Sequence, residues 1–466
     1  MTSVHKIEDA LRQRYRQPAG VEQFGIEPVP ADRRTVGWFD LFSIMFNFMI
    51  NPGTLLSGGL AVAAGLPFVP AVMAQVVGTA VALAFYLVMA TIGVDYGIPG
   101  QVATRAVYGW RGAKAIPSLL RTVASVYWFA FQTLAGASAI VAMLPRLTDT
   151  SLPLVGVSVI FGLIQAGVAV IGYGSLTALS RIALPIKVVA MAYLFVLFAR
   201  HDDPNFGIAA VLSYPGASTW SWVLVASWMN VSVAGWFTMI ADAADFARYS
   251  RSRTDICVAT FAAGTLGMLL STALGAYGAA ATLGKVPNPF VLAVDVEQSR
   301  LVLLALLVFL CVDAWTINVL NLYSAGLSLS NMFERFGRFW TTLVAALLGL
   351  ALSAVPGVLG YFQYVTMLGD VFSPVAGVLV FDYVFVSRLR IDVPALYDRK
   401  GRYVYWAGFN RIAVAWTVIG FVMCVYLIPI SLMPTLLTAL ITGTGYALTV
   451  RIMRESMQGG HGAVQT

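Results

Sequence analysis

Trp128 and Gln132 stand four residues apart in an apolar run over 116–144, so a helix there carries an indole and a primary amide on one face. In the run over 219–247, Trp236 directly follows Gly235. The run over 299–330 is interrupted by Asp313, Thr316, Asn318 and Asn321, and Asn51 precedes Pro52-Gly53 in the middle of the first run. Polar groups inside apolar spans are costly and tend to face a cavity or a partner. Indole faces bordered by amides suit a flat, neutral, hydrogen-bonding heterocycle, since the rings stack on it while Gln and Asn offer donors and acceptors to its edge. A plainer account competes at each position. Membrane Trp often anchors at the interface, Asn and Gln often bridge helices, and a Thr hydroxyl can bond back to its own helix.

Other chemistries lack their residues. No His-Glu-x-x-His pattern or intramembrane His–carboxylate cluster exists, and His5, His201 and His461 all lie outside the apolar runs. Cys257, Cys311 and Cys424 are too scattered for a disulfide framework or a thiolate metal site. No Gly-x-x-x-x-Gly-Lys-Ser/Thr motif is present, so coupling to ATP hydrolysis within the chain is not expected. The expectation is a protein that is not an enzyme, has no catalytic residues and needs no cofactor beyond a coupling ion.

The elements that position these residues are membrane spans. Of the 466 residues, 59% are hydrophobic and 11% charged, against about 25% charged in a soluble domain. Twelve apolar runs are each long enough to cross a hydrocarbon core: 37–62, 68–92, 116–144, 152–172, 180–199, 219–247, 256–283, 299–330, 339–355, 361–386, 410–429 and 432–450. The segment Met1 to Arg34 is polar and lacks the apolar core of a secretory signal. If the spans alternate from a cytoplasmic N-terminus, all of the 29 Lys and Arg residues except Arg146, Arg200, Lys285 and Arg300 fall on the cytoplasmic side. The net charge of +7 is therefore a topology signal and not a nucleic-acid surface. The chain is expected in the cytoplasmic (inner) membrane with both termini cytoplasmic.

Spans one and six are expected to be interrupted, at Asn51-Pro52-Gly53 and at Ser232-Val233-Ala234-Gly235-Trp236. They occupy corresponding places in two five-helix halves, a pattern that points to an inverted-repeat transporter with its site at the midplane. The expected organisation is an N-terminal segment over 1–35, a ten-helix inverted-repeat core over 36–390, a loop with two accessory helices over 391–455, and a tail over 456–466.

Several motifs carry a family resemblance. Gln23-Phe24-Gly25-Ile26-Glu27-Pro28-Val29-Pro30, Gly97-Ile98-Pro99-Gly100 through Arg105, Gly109 and Gly112, and Tyr127-Trp128-Phe129-Ala130-Phe131-Gln132-Thr133 are similar to motifs of the nucleobase–cation symporter-1 family, in its purine–cytosine permease-like branch. So are Ala244-Asp245-Phe246-Ala247-Arg248-Tyr249 and the block Phe381-Asp382-Tyr383 through Arg388, Leu396-Tyr397, Gly401, Tyr403-Val404-Tyr405-Trp406 and Gly408-Phe409-Asn410. The resemblance implies an all-α, five-plus-five helix bundle and a planar substrate sandwiched between Trp128 and Trp236. It implies an amide contact from Gln132, a backbone contact at Gly235 and a polar contact from Asn51. The amide of span eight is either Asn318 or Asn321.

For the coupling cation, the resemblance implies carbonyls of Asn47 and Ile50 with two adjacent hydroxyl residues in span eight, here Thr316 and Ile317. Ile317 offers no side-chain oxygen. Asp313, one turn before Thr316, either replaces the missing sodium ligand or carries a coupling proton, which leaves Na+ and H+ both open as the coupling ion. Asp242 and Asp245 compete for that role, with pairing to Arg248 as the plainer account. The implied activity is uptake of a nucleobase, allantoin or hydantoin by symport and alternating access, with a vitamin or amino-acid carrier on the same scaffold as the alternative. The partners are the heterocycle, the cation and the lipid, without nucleic acid, and a monomer is the simplest arrangement.

Overall fold

The computed structural model describes residues 21–217 and 220–462. Its first half comprises α1 (Trp38–Met49), α2 (Pro52–Ala63), α3 (Phe68–Tyr96), α4 (Leu119–Thr148), α5 (Leu154–Ile171) and α6 (Tyr173–Ala199). There follow α7 (Trp222–Phe237), α8 (Arg253–Ala281), the short α9 (Pro289–Val296), α10 (Arg300–Met332), α11 (Arg338–Ser353) and α12 (Tyr361–Phe381). Last come α13 (Arg411–Tyr426) and α14 (Pro434–Gly462). Nine helical stretches among the described residues are long and apolar enough to cross a membrane, and α1, α2, α11 and α13 are shorter apolar helices.

Burial in these helices is one-sided in the sense a membrane demands. α6 exposes Ile182, Val189 and Val196, spaced by seven, while Ser180, Ala183, Lys187, Met191 and Leu194 are buried on the other side. Apolar side chains face outward and the polar ones face protein, the reverse of a soluble surface helix.

The first expected break is present. α1 ends at Met49, Ile50 and Asn51 are extended, and α2 starts with Pro52 at its first position. Pro has no N–H to lose there, and the Asn51 side chain caps the new helix by accepting from Thr54 N at 3.0 Å. The cost falls on the last carbonyls of α1, which are left without intrahelical partners.

The second break lies later than Ser232–Trp236. α7 runs unbroken to Phe237, and the chain then turns at Thr238 and Met239 before a tight turn at Ile240–Asp242 and a short helix at Ala243–Ala247. Small residues without a proline keep every backbone donor, and one Gly costs a helix only about 1 kcal/mol, which packing can offset. The break forms instead where Thr238 Oγ1 turns back to Gly235 O at 2.7 Å.

Packing between the halves is reciprocal. α3 packs on α7 while α8 packs on α1 and α2, and α4 packs along α10. The α2–α8 approach depends on glycine: a Cβ on Gly58 would lie 2.1 Å from Thr272 O, and one on Gly275 would lie 1.8 Å from Leu55 O. α13 and α14 pack on α12 and on each other, outside this core.

The stretch before α1 is part of the packed structure. Val29 N donates to Gly97 O and Val36 N to Tyr249 O, and Ile26, Glu27 and Val29 are buried. Glu22 lies 2.7 Å from Arg248 and 3.6 Å from Arg338. Burial alone would raise the Glu22 carboxyl, but Arg248 and Arg338 beside it hold it below the usual carboxylate range. This corrects the pairing expected for Arg248. Its guanidinium serves Glu22, Gly25 O and Phe24 O, whereas Asp242 pairs with Arg121 and Asp245 accepts from Gly100 N.

Candidate functional site

The break between α1 and α2 opens on a cavity of about 70 Å³ at the meeting of α1, α2, α4, α7 and α10. Its lining includes Asn51, Trp128, Gln132, Gly235, Trp236 and Asn321. Six of the residues expected at a substrate site therefore share one cavity, although they come from four separate stretches of sequence.

The amides are oriented by an unambiguous donor. Thr54 N–H can only donate, so the Asn51 atom it meets is Oδ1, and Asn51 Nδ2 goes to Phe48 O at 2.7 Å and Thr54 Oγ1 at 2.8 Å. Gln132 then has to present its NH2 to Asn51 Oδ1, at 3.0 Å. Gln132 Oε1 is left buried with no partner in the protein, and so is Trp236 Nε1. Two residues of the cavity lining thus carry one unpartnered acceptor and one unpartnered donor.

The Trp236 ring is held edgewise by Phe48, at 5.7 Å between centroids, and by Tyr86, at 5.1 Å. Trp128 meets Phe131 at 5.9 Å with the rings nearly perpendicular. A Cβ built on Gly235 would meet nothing within 4 Å, so the backbone of α7 is bare where it faces the open space.

Asn318 and Asn321 part company. Asn321 lines the cavity, whereas Asn318 Nδ2 turns away to Thr133 Oγ1 at 2.9 Å and Gln165 Oε1 at 2.6 Å, tying α10 to α4 and α5. The two are three residues apart on α10, and Asn321 Nδ2 reaches Asn318 Oδ1 at 3.3 Å.

The residues expected around a cation also converge, with an unexpected occupant. Lys187 Nζ donates to Asn47 O at 2.9 Å and Ile50 O at 2.7 Å, and lies 2.6 Å from Asp313 Oδ1. Thr316 Oγ1 is spent within its own helix, donating to Asp313 O at 2.9 Å. A sodium ion on Asn47, Ile50, Asp313 and Thr316 does not fit this arrangement. The carbonyls and the carboxylate already hold a positive charge, and a second one at the same point would be repelled. Among the described residues, no group of three His, Cys, Asp or Glu forms a metal site.

Lys187 and Arg121 are the functional candidates that pattern reasoning missed. Both are charged residues within apolar runs, a rare and costly placement that marks them without any structure. Phe48, Thr54, Ser57 and Gln75 also line the cavity, and nothing in their types separates them from ordinary helix residues.

The model of a family described as permeases for cytosine/purines, uracil, thiamine and allantoin matches residues 28–448. A hydantoin permease of Microbacterium maritypicum is 29% identical over 407 residues, covering 83% of this chain and 81% of that one. An allantoin permease of Bacillus subtilis (strain 168) is 24% identical, covering 88% of each. The solved structure of Mhp1, a nucleobase-cation-symport-1 family transporter in a closed conformation with bromovinylhydantoin bound, superimposes with a TM-score of 0.81 at 25% identity, covering 94% of this chain and 96% of that one. With a family match over nearly its whole length and a shared helical transporter fold, the chain belongs to the cytosine/purine, uracil, thiamine and allantoin permease family.

Proposed function

We propose that this protein is a secondary transporter that imports a flat, neutral, amide-bearing heterocycle of the nucleobase, allantoin or hydantoin class by cation- or proton-coupled symport. The observation that carries this reading is the pair of unpartnered buried atoms, Gln132 Oε1 and Trp236 Nε1, on residues lining one cavity beside two indole rings. Buried polar atoms without partners cost about 1–3 kcal/mol each. A ring that stacks between Trp128 and Trp236 and offers its own N–H to Gln132 and a carbonyl to Trp236 relieves both. Asn51 holds Gln132 in place, Asn321 adds a further amide, and Gly235 leaves room for the ring and backbone contact.

The relatives named as hydantoin and allantoin permeases support this substrate class. A zwitterionic amino acid fits less well, because the cavity lining carries no charged side chain. Placement in a cytoplasmic membrane with both termini inside rests on the Lys and Arg asymmetry. The twelve-span count takes α1 and α2 as one broken crossing, and the reciprocal packing of α3 and α8 supports a repeated core over 36–390 with accessory helices beyond.

A thermal-shift screen of the purified protein against hydantoins, allantoin, cytosine, uracil and purines tests the substrate class. Stabilisation by at least one of these is expected. A shift with charged amino acids and none with any heterocycle would overturn the reading. Counterflow exchange in proteoliposomes separates a carrier from a channel, which would not exchange.

A further inference from the structure

We infer that the groove between α14 and the chain leaving α12 is a binding site for an anionic phospholipid, whose phosphate is held by the arginines of the groove while its acyl chains lie on the apolar wall beside them. The site is on the outside of the bundle and is independent of the transported substrate.

The groove follows from two helices of unequal reach. α12 and α14 touch through glycine: a Cβ on Gly377 would lie 2.1 Å from Ala439 O, and one on Gly443 would lie 2.3 Å from Phe381 Cδ2. α12 then ends at Phe381, while α14 continues to Gly462. Past that point the longer helix has lost its partner, and an open groove of about 1030 Å³ lies between it and the stretch over 381–390.

The wall of the groove changes character along α14. Thr444, Leu448, Arg451 and Glu455 recur at helical spacing and so share one face, with Ala447 and Arg454 beside them. Opposite, Phe381 and Phe385 pack one turn apart with ring centroids at 5.2 Å. Phe385 and Leu448 are exposed, so the inner part of the groove is apolar and open to lipid. Its outer end is lined by Arg388, Arg390, Arg451, Arg454 and Glu455.

One of these four arginines is neutralised within its own helix, since Arg451 pairs with Glu455 at 2.9 Å. Arg388, Arg390 and Arg454 are exposed and make no ion pair among the described residues. Arg454 donates to Val386 O at 3.5 Å. Asp382, at the root of the loop, is already taken by Ser387 Oγ at 2.7 Å and Tyr446 OH at 2.6 Å. The loop itself is fixed. Arg388 and Leu389 have left-handed φ of 50° and 60°, a conformation that side chains adopt at a cost and that is common at ligand clamps. Tyr96 of α3 holds this turn, donating to Leu389 O at 3.2 Å and accepting from Ile391 N at 3.1 Å.

A positive-inside bias accounts for arginines on this side of the membrane, but not for three unpaired ones in one groove. Elsewhere on the same side Arg253 pairs with Asp95, Arg251 with Asp255, and Arg105, Lys114 and Arg399 share Glu334. Guanidinium forks match phosphate oxygens, and basic pockets at the ends of spans collect anionic headgroups. A free phosphate would use the arginines and leave Phe385 and Leu448 uncovered, whereas a lipid covers both. One headgroup held from both sides ties a core helix to an accessory helix, so binding should stabilise the fold.

The test uses the full-length protein in an uncharged detergent, with lipid retention read by native mass spectrometry and unfolding read by thermal shift. Phosphatidylglycerol and cardiolipin should be retained and should raise the unfolding temperature. Phosphatidylcholine, phosphatidylethanolamine and inorganic phosphate should do neither. Equal retention of the zwitterionic lipids overturns the inference, and so does stabilisation by inorganic phosphate as large as that by lipid, which would mark a free-anion site. Arg388→Gln/Arg390→Gln/Arg454→Gln should weaken anionic-lipid binding by about a hundredfold, at about fivefold per arginine. Arg33→Gln/Arg335→Gln/Lys400→Gln removes as much charge from exposed positions elsewhere on this side and should leave binding nearly unchanged. Equal losses in the two triple variants would mean a diffuse surface attraction and would refute the site. If the first triple variant does not fold, Arg388→Gln alone should lose about fivefold, and unchanged binding by it refutes the site as well.

Discussion

The two helix breaks solve one physical problem with different cations. At the first, Lys187 grips Asn47 O and Ile50 O and pairs with Asp313. At the second, Arg121 donates to Thr238 O at 3.3 Å and pairs with Asp242 at 2.8 Å. In each case a cation from a neighbouring helix covers carbonyls freed by the break, and an aspartate balances it. Both pairs are fully buried. The difference is that a guanidinium keeps its charge at any physiological pH, whereas an ammonium need not. The ion pair at the α7 break is therefore permanent, while the one at the α1 break is held by a group able to lose its charge.

The largest expected effect is at the permanent pair. Arg121→Met strands a buried carboxylate and should cost about 3–5 kcal/mol of stability, read by thermal or denaturant unfolding in detergent, while Arg121→Met/Asp242→Leu should recover most of it. If Arg121→Met is harmless, the α7 break is not held by this pair. Next comes the tie behind the cavity. Asn318→Leu removes the amide that donates to Phe129 O, Thr133 Oγ1 and Gln165 Oε1 and should cost about 1–3 kcal/mol of stability, whereas Asn321→Leu should leave stability nearly unchanged and weaken heterocycle binding in a titration. Equal effects of the two would break the assignment of one amide to structure and the other to the cavity. Gly235→Val is expected to lower affinity by about tenfold or more through intrusion into the ring space, as a misplaced group costs about 1–3 kcal/mol, with unfolding little changed because a Cβ there meets nothing within 4 Å. The smallest effect is Arg121→Lys, which keeps the charge but loses the guanidinium fork. This variant should unfold slightly below the wild type and well above Arg121→Met, and a loss as large as that of Arg121→Met would show that positive charge alone does not hold the break.

Much of this was legible before any coordinates. The apolar runs predicted the helices: each run overlaps a helix or one of the two broken stretches, α1–α2 and α7 with its following turn, and nine helical stretches among the described residues are long and apolar enough to cross a membrane. Pro52 marked the first break correctly because the lack of an N–H is a local fact. The second was placed too early at Ser232–Trp236, since small residues permit a break without forcing one, and the turn at Thr238–Met239 is set by packing around Arg121 and Asp242. Asn318 and Asn321 could not be told apart at three residues' spacing, because about 60° of helix rotation decides which one faces the cavity.

Sequence by itself determined the class of molecule, the aromatic and amide residues of the cavity, and the lack of a side-chain oxygen at Ile317, where the family resemblance implies a hydroxyl, since each depends on residue type and position. What filled the gap was decided by tertiary structure alone. Lys187 lies 137 residues from Ile50 along the chain, and Asp313 is far from both. Only the crossing of α6 and α10 beside the broken end of α1 brings an ammonium, two bare carbonyls and a carboxylate to one point. Once they meet, electrostatics leaves no room there for a metal ion.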